Sequence, residues 1–383
     1  MTETLDAFRA RARAFLDSRA ERDPARARSV LAIFAERSAA EDAEWAAACR
    51  AWQRELFDAG FAGVAWPTEV GGQGLSPAHA HVWAEEQAPY VVARGLFDVT
   101  LEIIGPTLFT LGTPEQREHC RAMLRGDEVW CQLFSEPGSG SDLASLRTRA
   151  EPDGVGWRVT GQKVWTSEAK HARYGYLLAR TSVEGRKHDG LTAFRLDLDQ
   201  PGVEVRELRQ MTGGSSFSEV FLDGARIGPA DVLGEVGKGW RVAMTTLGFE
   251  RFSSHGKSFR ALVDRARDLD WSDPIARDTY VRAVVEHRVL AAMEEQVNSA
   301  LLAGKSPGPE ATLAKLAVAQ LLETLSDAVA ASLGPVLTAG AVDLDDEWRR
   351  LLLAKPAFHI AGGTDEILRT LVAERVLGLP RGS

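Results

Sequence analysis

Four stretches of this chain carry side chains able to do chemistry. In LFSEPGSGSDLASLRTRA, a strand ending at Ser135 runs into a loop with Gly138, Ser139, Gly140 and Ser141. Such a loop can turn backbone N–H groups and hydroxyls toward an anion, as a phosphate cradle does; taken alone it reads more simply as a plain surface turn. In GQKVWTSEA, Trp165 stands between a strand and two hydroxyl residues. Near the end of the chain, HIAGGTDEILRTLVAERVLGLPR places Thr364 as the N-cap of a helix. In TTLGFERFSS, Glu250 has Thr246 and Leu247 on one side and Ser253 and Ser254 on the other, so no i,i+3 or i,i+4 ion pair satisfies it. An exposed helical glutamate is the simpler local reading, although Phe249 and Phe252 suggest a partly apolar setting.

Other chemistries lack their residues. GSGSDL from Gly138 has no third glycine and opens no helix after a buried strand, which argues against a dinucleotide fingerprint. The chain contains no GxxxxGK[ST], HExxH or GxSxG. His79 and His81, two residues apart, read as helix-surface histidines pointing different ways. Cys49, Cys120 and Cys131 form no CxxC pair and read as buried reduced thiols in a cytoplasm. A net charge of −9 excludes the basic footprint of nucleic-acid binding. No uninterrupted apolar run approaches the ~18 residues that cross a bilayer, and the first residues lack a signal-peptide core. The expectation is a cytoplasmic protein with no membrane span.

The elements that must position these residues change texture twice. A chain of 383 residues, 45% hydrophobic and 26% charged, fits a soluble protein of two or three domains. Up to about Gly126 the pattern is helical: Trp45, Cys49, Trp52 and Leu56 share one face, and Gly60 closes that helix. From about Val129 to Leu233, short β-type runs follow one another without a long helical pattern, which favours a barrel or sandwich over a βαβ fold. Beyond Gly239 the pattern predicts helices over roughly 239–270, 275–303, 309–333 and 345–380, joined as a bundle. The expected class is α+β: a helical domain at 1–126, a central β-barrel or sandwich domain at 127–235, and a C-terminal four-helix bundle at 236–383.

FSEPGSGSD, GQKVWTS, MTGGSSFSEVFLDGARI, GKGWRVAMTTLGFER and AGGTDEILRTLVAERVLGLPR resemble, in order and spacing, the acyl-CoA dehydrogenases. The resemblance runs from about residue 50 to the C-terminus and implies FAD, with its ring between the β domain and the bundle. It places Phe134 and Ser135 along the ring, Trp165 over it and Ser167 in hydrogen-bonding reach. Ser141 would contact the pyrophosphate or the pantetheine arm of the acyl-CoA. Thr364 and Glu366 match positions that touch FAD, at a helix N-terminus whose free N–H groups suit phosphate or a carbonyl.

The resemblance also implies the reaction: a carboxylate takes the α proton of an acyl-CoA while the β hydrogen leaves as hydride to the flavin. Most members carry this glutamate immediately before Gly-Thr, where this chain has Gly362. A subset similar to the isovaleryl and long-chain enzymes carries it on a bundle helix followed by arginine, which matches Glu250 and Arg251. Glu250 is therefore the expected base, and Arg251 orients it or lines the pocket. Gly362 and Gly363 would flank the substrate, with the Gly362 N–H on the thioester oxygen.

Two family features are missing. No Arg-x-x-Phe-Gly block follows the first bundle helix, and the glycine-rich adenine-side segment is reduced to LGPVLTAG. Contacts to FAD across subunits are thus in question. A homo-oligomer, dimer or tetramer, is expected, with a heteromer containing a paralogous subunit as the alternative. An electron-transferring flavoprotein is the implied acceptor. An oxidase on the same fold, or a subunit that completes a partner's flavin site, remains open. No motif specifies the acyl group.

Overall fold

The computed structural model describes residues 3–24, 31–253, 259–302, 312–337 and 346–380; the side chains of 250–253, 298, 301, 302 and 346 lie outside that description. The first part is helical: α1 (Leu5–Arg19), α2 (Ala39–Asp58), α3 (Pro77–Gln87), α4 (Gly105–Leu111) and α5 (Pro114–Leu124). A short antiparallel pairing of β1 (Glu21–Arg22) with β2 (Tyr90–Val91) joins the chain after α1 to the chain after α3. Local sequence explains two of these starts. Ser38 and Glu41 form a reciprocal capping box on α2, and Thr113 and Gln116 form one on α5 with Pro114 in the first turn. Cys49, Trp52 and Leu56 are buried along α2 as the periodicity predicts.

His79 differs from its expected surface position. It is only 5% exposed, its Nδ1 sits 2.7 Å from Ser76 Oγ, its Nε2 sits 3.0 Å from the Glu3 carbonyl, and its ring meets Phe8 edge-on. Helical spacing showed the two histidines diverging; which of them faced α1 depended on tertiary packing.

Eight strands follow: β3 (Trp130–Leu133), β4 (Arg149–Asp153), β5 (Gly156–Ser167), β6 (Tyr174–Arg180), β7 (Leu191–Asp197), β8 (Val203–Leu208), β9 (Phe217–Ile227) and β10 (Val232–Leu233). They form one sheet in the order β10-β7-β6-β4-β5-β9-β8, with β3 parallel to β6. One apolar cluster packs inside this sheet around Leu133, Val159, Leu177, Phe194 and Val220. A second joins Trp130, Phe134 and Tyr176 to Ile104, Leu108 and Met123 of the helical part. The sheet thus encloses one core of its own and buries a second face against the helices.

The C-terminal part holds six helices among the described residues rather than four: α6 (Gly239–Ser253), α7 (Phe259–Ala266), α8 (Pro274–Leu302), α9 (Thr312–Leu333), α10 (Asp346–Ile360) and α11 (Asp365–Arg375). The last predicted helix breaks because Gly362 and Gly363 both adopt positive φ, 66° and 97°. Thr312–Leu337 is long and apolar enough to cross a bilayer, but half of its apolar window is buried in the bundle core.

Candidate active site

Trp165 sits where β5 departs from regular pairing with β9, at a register shift between Lys163 and Thr166. Its φ is 59°, a left-handed value that bulky residues avoid, and its side chain remains 62% exposed. An indole that gains so little burial while its backbone is strained suits a binding face better than a packing role. Its ring meets Phe217 edge-on at 6.1 Å, Phe217 lies 6.4 Å from Phe34, and Phe34 lies 5.7 Å from Phe358. This aromatic row runs from the sheet to α10, three residues before the Ala361–Thr364 turn.

The Phe134–Ser141 loop lies directly beside Trp165. Val164 N–H donates to the Ser135 carbonyl at 3.0 Å, and Phe134 packs edge-on against Tyr176 at 5.1 Å. Phe134 is buried, Ser135 and Ser167 are half-buried, and Ser141 is exposed. Next to Ser141, Asp142 pairs with Lys187 at 2.7 Å. The loop is held by Glu136, whose carboxylate accepts from Arg147 N–H, Thr148 N–H and the buried Lys163 ammonium. Burial works against the charge of Glu136, yet Lys163 and these donors hold it below the usual carboxylate range. This pair was missed from sequence, where a lysine in an alternating strand looks like a solvent-facing residue.

At the third stretch, Thr364 caps α11, accepting from Ile367 N–H at 3.4 Å. Gly362 is exposed, and nothing lies within 4 Å of where its Cβ would be. His359 and Asp365 close the turn from both ends with a 2.8 Å contact, and Lys315 reaches the other Asp365 oxygen at 3.3 Å. Glu366 is exposed on the first turn of α11.

The fourth stretch lies on α6, where Glu250 and Arg251 occupy the last turn; their side chains lie outside the described residues. What anchors this helix is clear one turn earlier. Thr246 is fully buried, shares a 3.0 Å hydrogen bond with the Tyr176 hydroxyl, and accepts from Thr107 Oγ1 at 3.0 Å. One hydroxyl therefore joins α4, β6 and α6. The structure brings Phe134, Ser135, Trp165 and Ser167 into one neighbourhood and fixes the helix carrying position 250 to the same sheet. A cavity of about 50 Å³ opens beside Ser167, lined among others by Arg37, Trp45, Asp98, Val99 and Trp130.

Models of the acyl-CoA dehydrogenase N-terminal, middle and C-terminal domains match residues 2–127, 131–225 and 237–377. Acyl-CoA dehydrogenase IpdE1 of Mycobacterium tuberculosis is 41% identical over 347 residues, 87% of this chain and 88% of that protein. The solved structure of the Tcur3481-Tcur3483 steroid ACAD superposes with a TM-score of 0.77 at 28% identity, covering 99% of this chain and 98% of the other. The ChsE4-ChsE5 complex from Mycobacterium tuberculosis shares the fold at 22% identity, with a TM-score of 0.74 over 100% of this chain and 99% of that one. Three domain models in chain order over the observed helical, sheet and helical parts lead to one conclusion: this chain belongs to the acyl-CoA dehydrogenase family and is an oxidoreductase of that kind.

Proposed function

We propose that this dehydrogenase converts an acyl-CoA thioester to its trans-2-enoyl form, with Glu250 as base and FAD as hydride acceptor. The observation that carries the cofactor reading is Trp165, an exposed indole on a left-handed backbone, next in chain to Val164, whose N–H donates to the Ser135 carbonyl. When bound, FAD supplies the two-electron acceptor for the β hydrogen. The residues present fit it: Phe134, Ser135, Trp165 and Ser167 would hold the ring side, while Thr364 and Glu366 would contact it from the start of α11. Ser141 and Arg251 would hold the acyl-CoA.

In this reading the Glu250 carboxylate takes the α proton while the β hydrogen leaves with its electron pair, and the Cα–Cβ bond becomes double. Gly362 and Gly363 leave their backbone N–H groups at an open turn, where the Gly362 N–H would stabilise charge on the thioester oxygen. Electrons then pass to an electron-transferring flavoprotein. The acyl group we infer is bulky and ring-containing. Support comes from the open space at Gly362 and from the likeness to a steroid ACAD. The chain would work in the cytoplasm as an oligomer with itself or a paralogous subunit, and its three buried free thiols are compatible with that compartment.

The test is anaerobic bleaching of the purified protein with straight-chain, branched and polycyclic acyl-CoAs. Bleaching by the polycyclic set, with fast reoxidation by an electron-transferring flavoprotein, is expected. Preference for straight chains would remove the bulky-substrate reading, and stoichiometric peroxide at full turnover rate would make the protein an oxidase.

A further inference from the structure

Lys163 is fully buried on β5, two residues before Trp165. Its ammonium donates to Glu136 Oε1 at 2.9 Å and to the Phe134 carbonyl at 3.0 Å. Glu136 accepts from Arg147 N–H at 2.6 Å and from Thr148 N–H at 2.9 Å. The Glu136 backbone also exchanges two hydrogen bonds with Ser139, at 2.9 and 3.0 Å. One ion pair therefore ties the Phe134–Ser139 loop, the Arg147–Thr148 segment and β5 together.

A buried pair is a poor source of stability. Desolvating two charges offsets most of their attraction, and apolar replacements of similar volume are often neutral or stabilising. Burial pushes Lys163 down to about 8 even against the pull of Glu136, so this cost is present here. What the pair provides instead is direction. Lys163 pins the carbonyl of Phe134, just before Ser135, and the carboxylate of Glu136, just after it, which the Arg147 and Thr148 N–H groups also hold. Ser135 in turn accepts from Val164, the neighbour of Trp165. A strained backbone such as that of Trp165 persists only where its surroundings over-determine it.

We propose that Lys163 and Glu136 are positioning residues that hold the Ser135 hydroxyl and the Trp165 indole in register on the flavin-facing side of the sheet. This rests on the flavin reading above. The pair is kept for geometry and does not raise stability. Its removal should loosen the cofactor without loosening the fold.

The experiment is the double variant Lys163→Met/Glu136→Gln, in which methionine fills the lysine channel and glutamine keeps one acceptor for the backbone. Apoprotein is prepared from wild type and variant, thermal unfolding is recorded, and FAD is titrated back. Relief of the two desolvated charges offsets the lost Phe134 and backbone hydrogen-bond partners, so the expected result is an unfolding midpoint close to wild type, FAD binding at least tenfold weaker, and a shifted visible band of the bound flavin. A folded double variant with wild-type affinity and band overturns the proposal. If the double variant is destabilised or unfolded, Glu136→Asp decides, since it keeps both charges and shortens the reach by one methylene. There, weaker FAD with a shifted band and unchanged midpoint supports the proposal, and any other result overturns it. Wild type that takes up no FAD sinks the flavin reading and this proposal with it; wild type that binds FAD beside unaffected variants sinks the proposal alone.

Discussion

Glu250 and Trp165 make different demands on the chain, and each gives a test at the level of one side chain. Glu250→Gln keeps size but cannot accept the α proton, so flavin reduction should slow by about 10²–10⁴. FAD content should be unchanged, because the flavin contacts we propose lie on other residues. Rapid mixing with the best substrate measures this, and wild-type reduction would show that position 250 is not the base. Moving the carboxylate, Glu250→Gly with Gly362→Glu, should recover only part of the rate. Space around Gly362 is free, but its φ of 66° strains any side chain placed there. Trp165→Gly tests the strain reading. Glycine tolerates φ 59°, so the apoprotein should keep or gain stability, by about 1 kcal/mol, while FAD affinity falls. A large loss of apoprotein stability would mean that the indole is a packing residue after all.

Elements carry the site through joints that few residues form. Thr246→Val removes the hydroxyl shared by α6, α4 and β6 and leaves Tyr176 and Thr107 without that partner. A cost of roughly 1–3 kcal/mol is expected from the unpaired buried group. Flavin reduction should slow as well, since α6 carries position 250. Chemical unfolding beside single-turnover kinetics separates the two effects; a stability loss with no kinetic change would detach the joint from the site.

A second element-level test uses α8. Glu294 has its carboxyl raised by burial from an ordinary 4.5 to about 7, and its Oε1 is buried without a hydrogen-bond partner. A folded value above the unfolded one means that the native chain holds the proton between these limits. The stability tied to that proton is complete below 4.5 and is lost as pH rises through about 7. Glu294→Gln should therefore flatten this fall and leave the variant more stable at pH 8, by on the order of 1–2 kcal/mol. Urea midpoints at pH 5 and pH 8 read the difference, and parallel pH dependence in both proteins would refute it.

At the scale of the whole molecule, α8 presents a regular outward apolar surface among the described residues. Val281, Val285 and Val289 follow one another at i, i+4 and i+8, each about half exposed, at 53%, 54% and 50%. A helix face of this kind suits burial against another subunit. Val285→Arg should shift the protein toward smaller species in sedimentation, with the individual chain still folded by circular dichroism. Unchanged assembly would move the contact to the exposed Val376, Leu377 and Leu379 at the C-terminal end.

The α2 face, the run of short strands, the start of α11 at Thr364 and the order helical–sheet–helical were all legible in the chain itself. They depend on local periodicity, on caps and on glycine or proline breaks, which act over a few residues. The motifs around Ser135, Trp165 and Gly362 stood out only through their resemblance to the acyl-CoA dehydrogenases. Burial and strain were decided only by tertiary structure. Lys163 reads as a surface strand residue until Glu136, 27 positions away, meets it inside the sheet. His79 reads as exposed until α1 covers it. Trp165 has an ordinary strand sequence around it, and its left-handed backbone arises from a register shift against β9. Thr246 becomes the joint of three elements through partners 70 and 139 residues away. Sequence spacing cannot report such pairings, because each depends on which faces the folded layers press together.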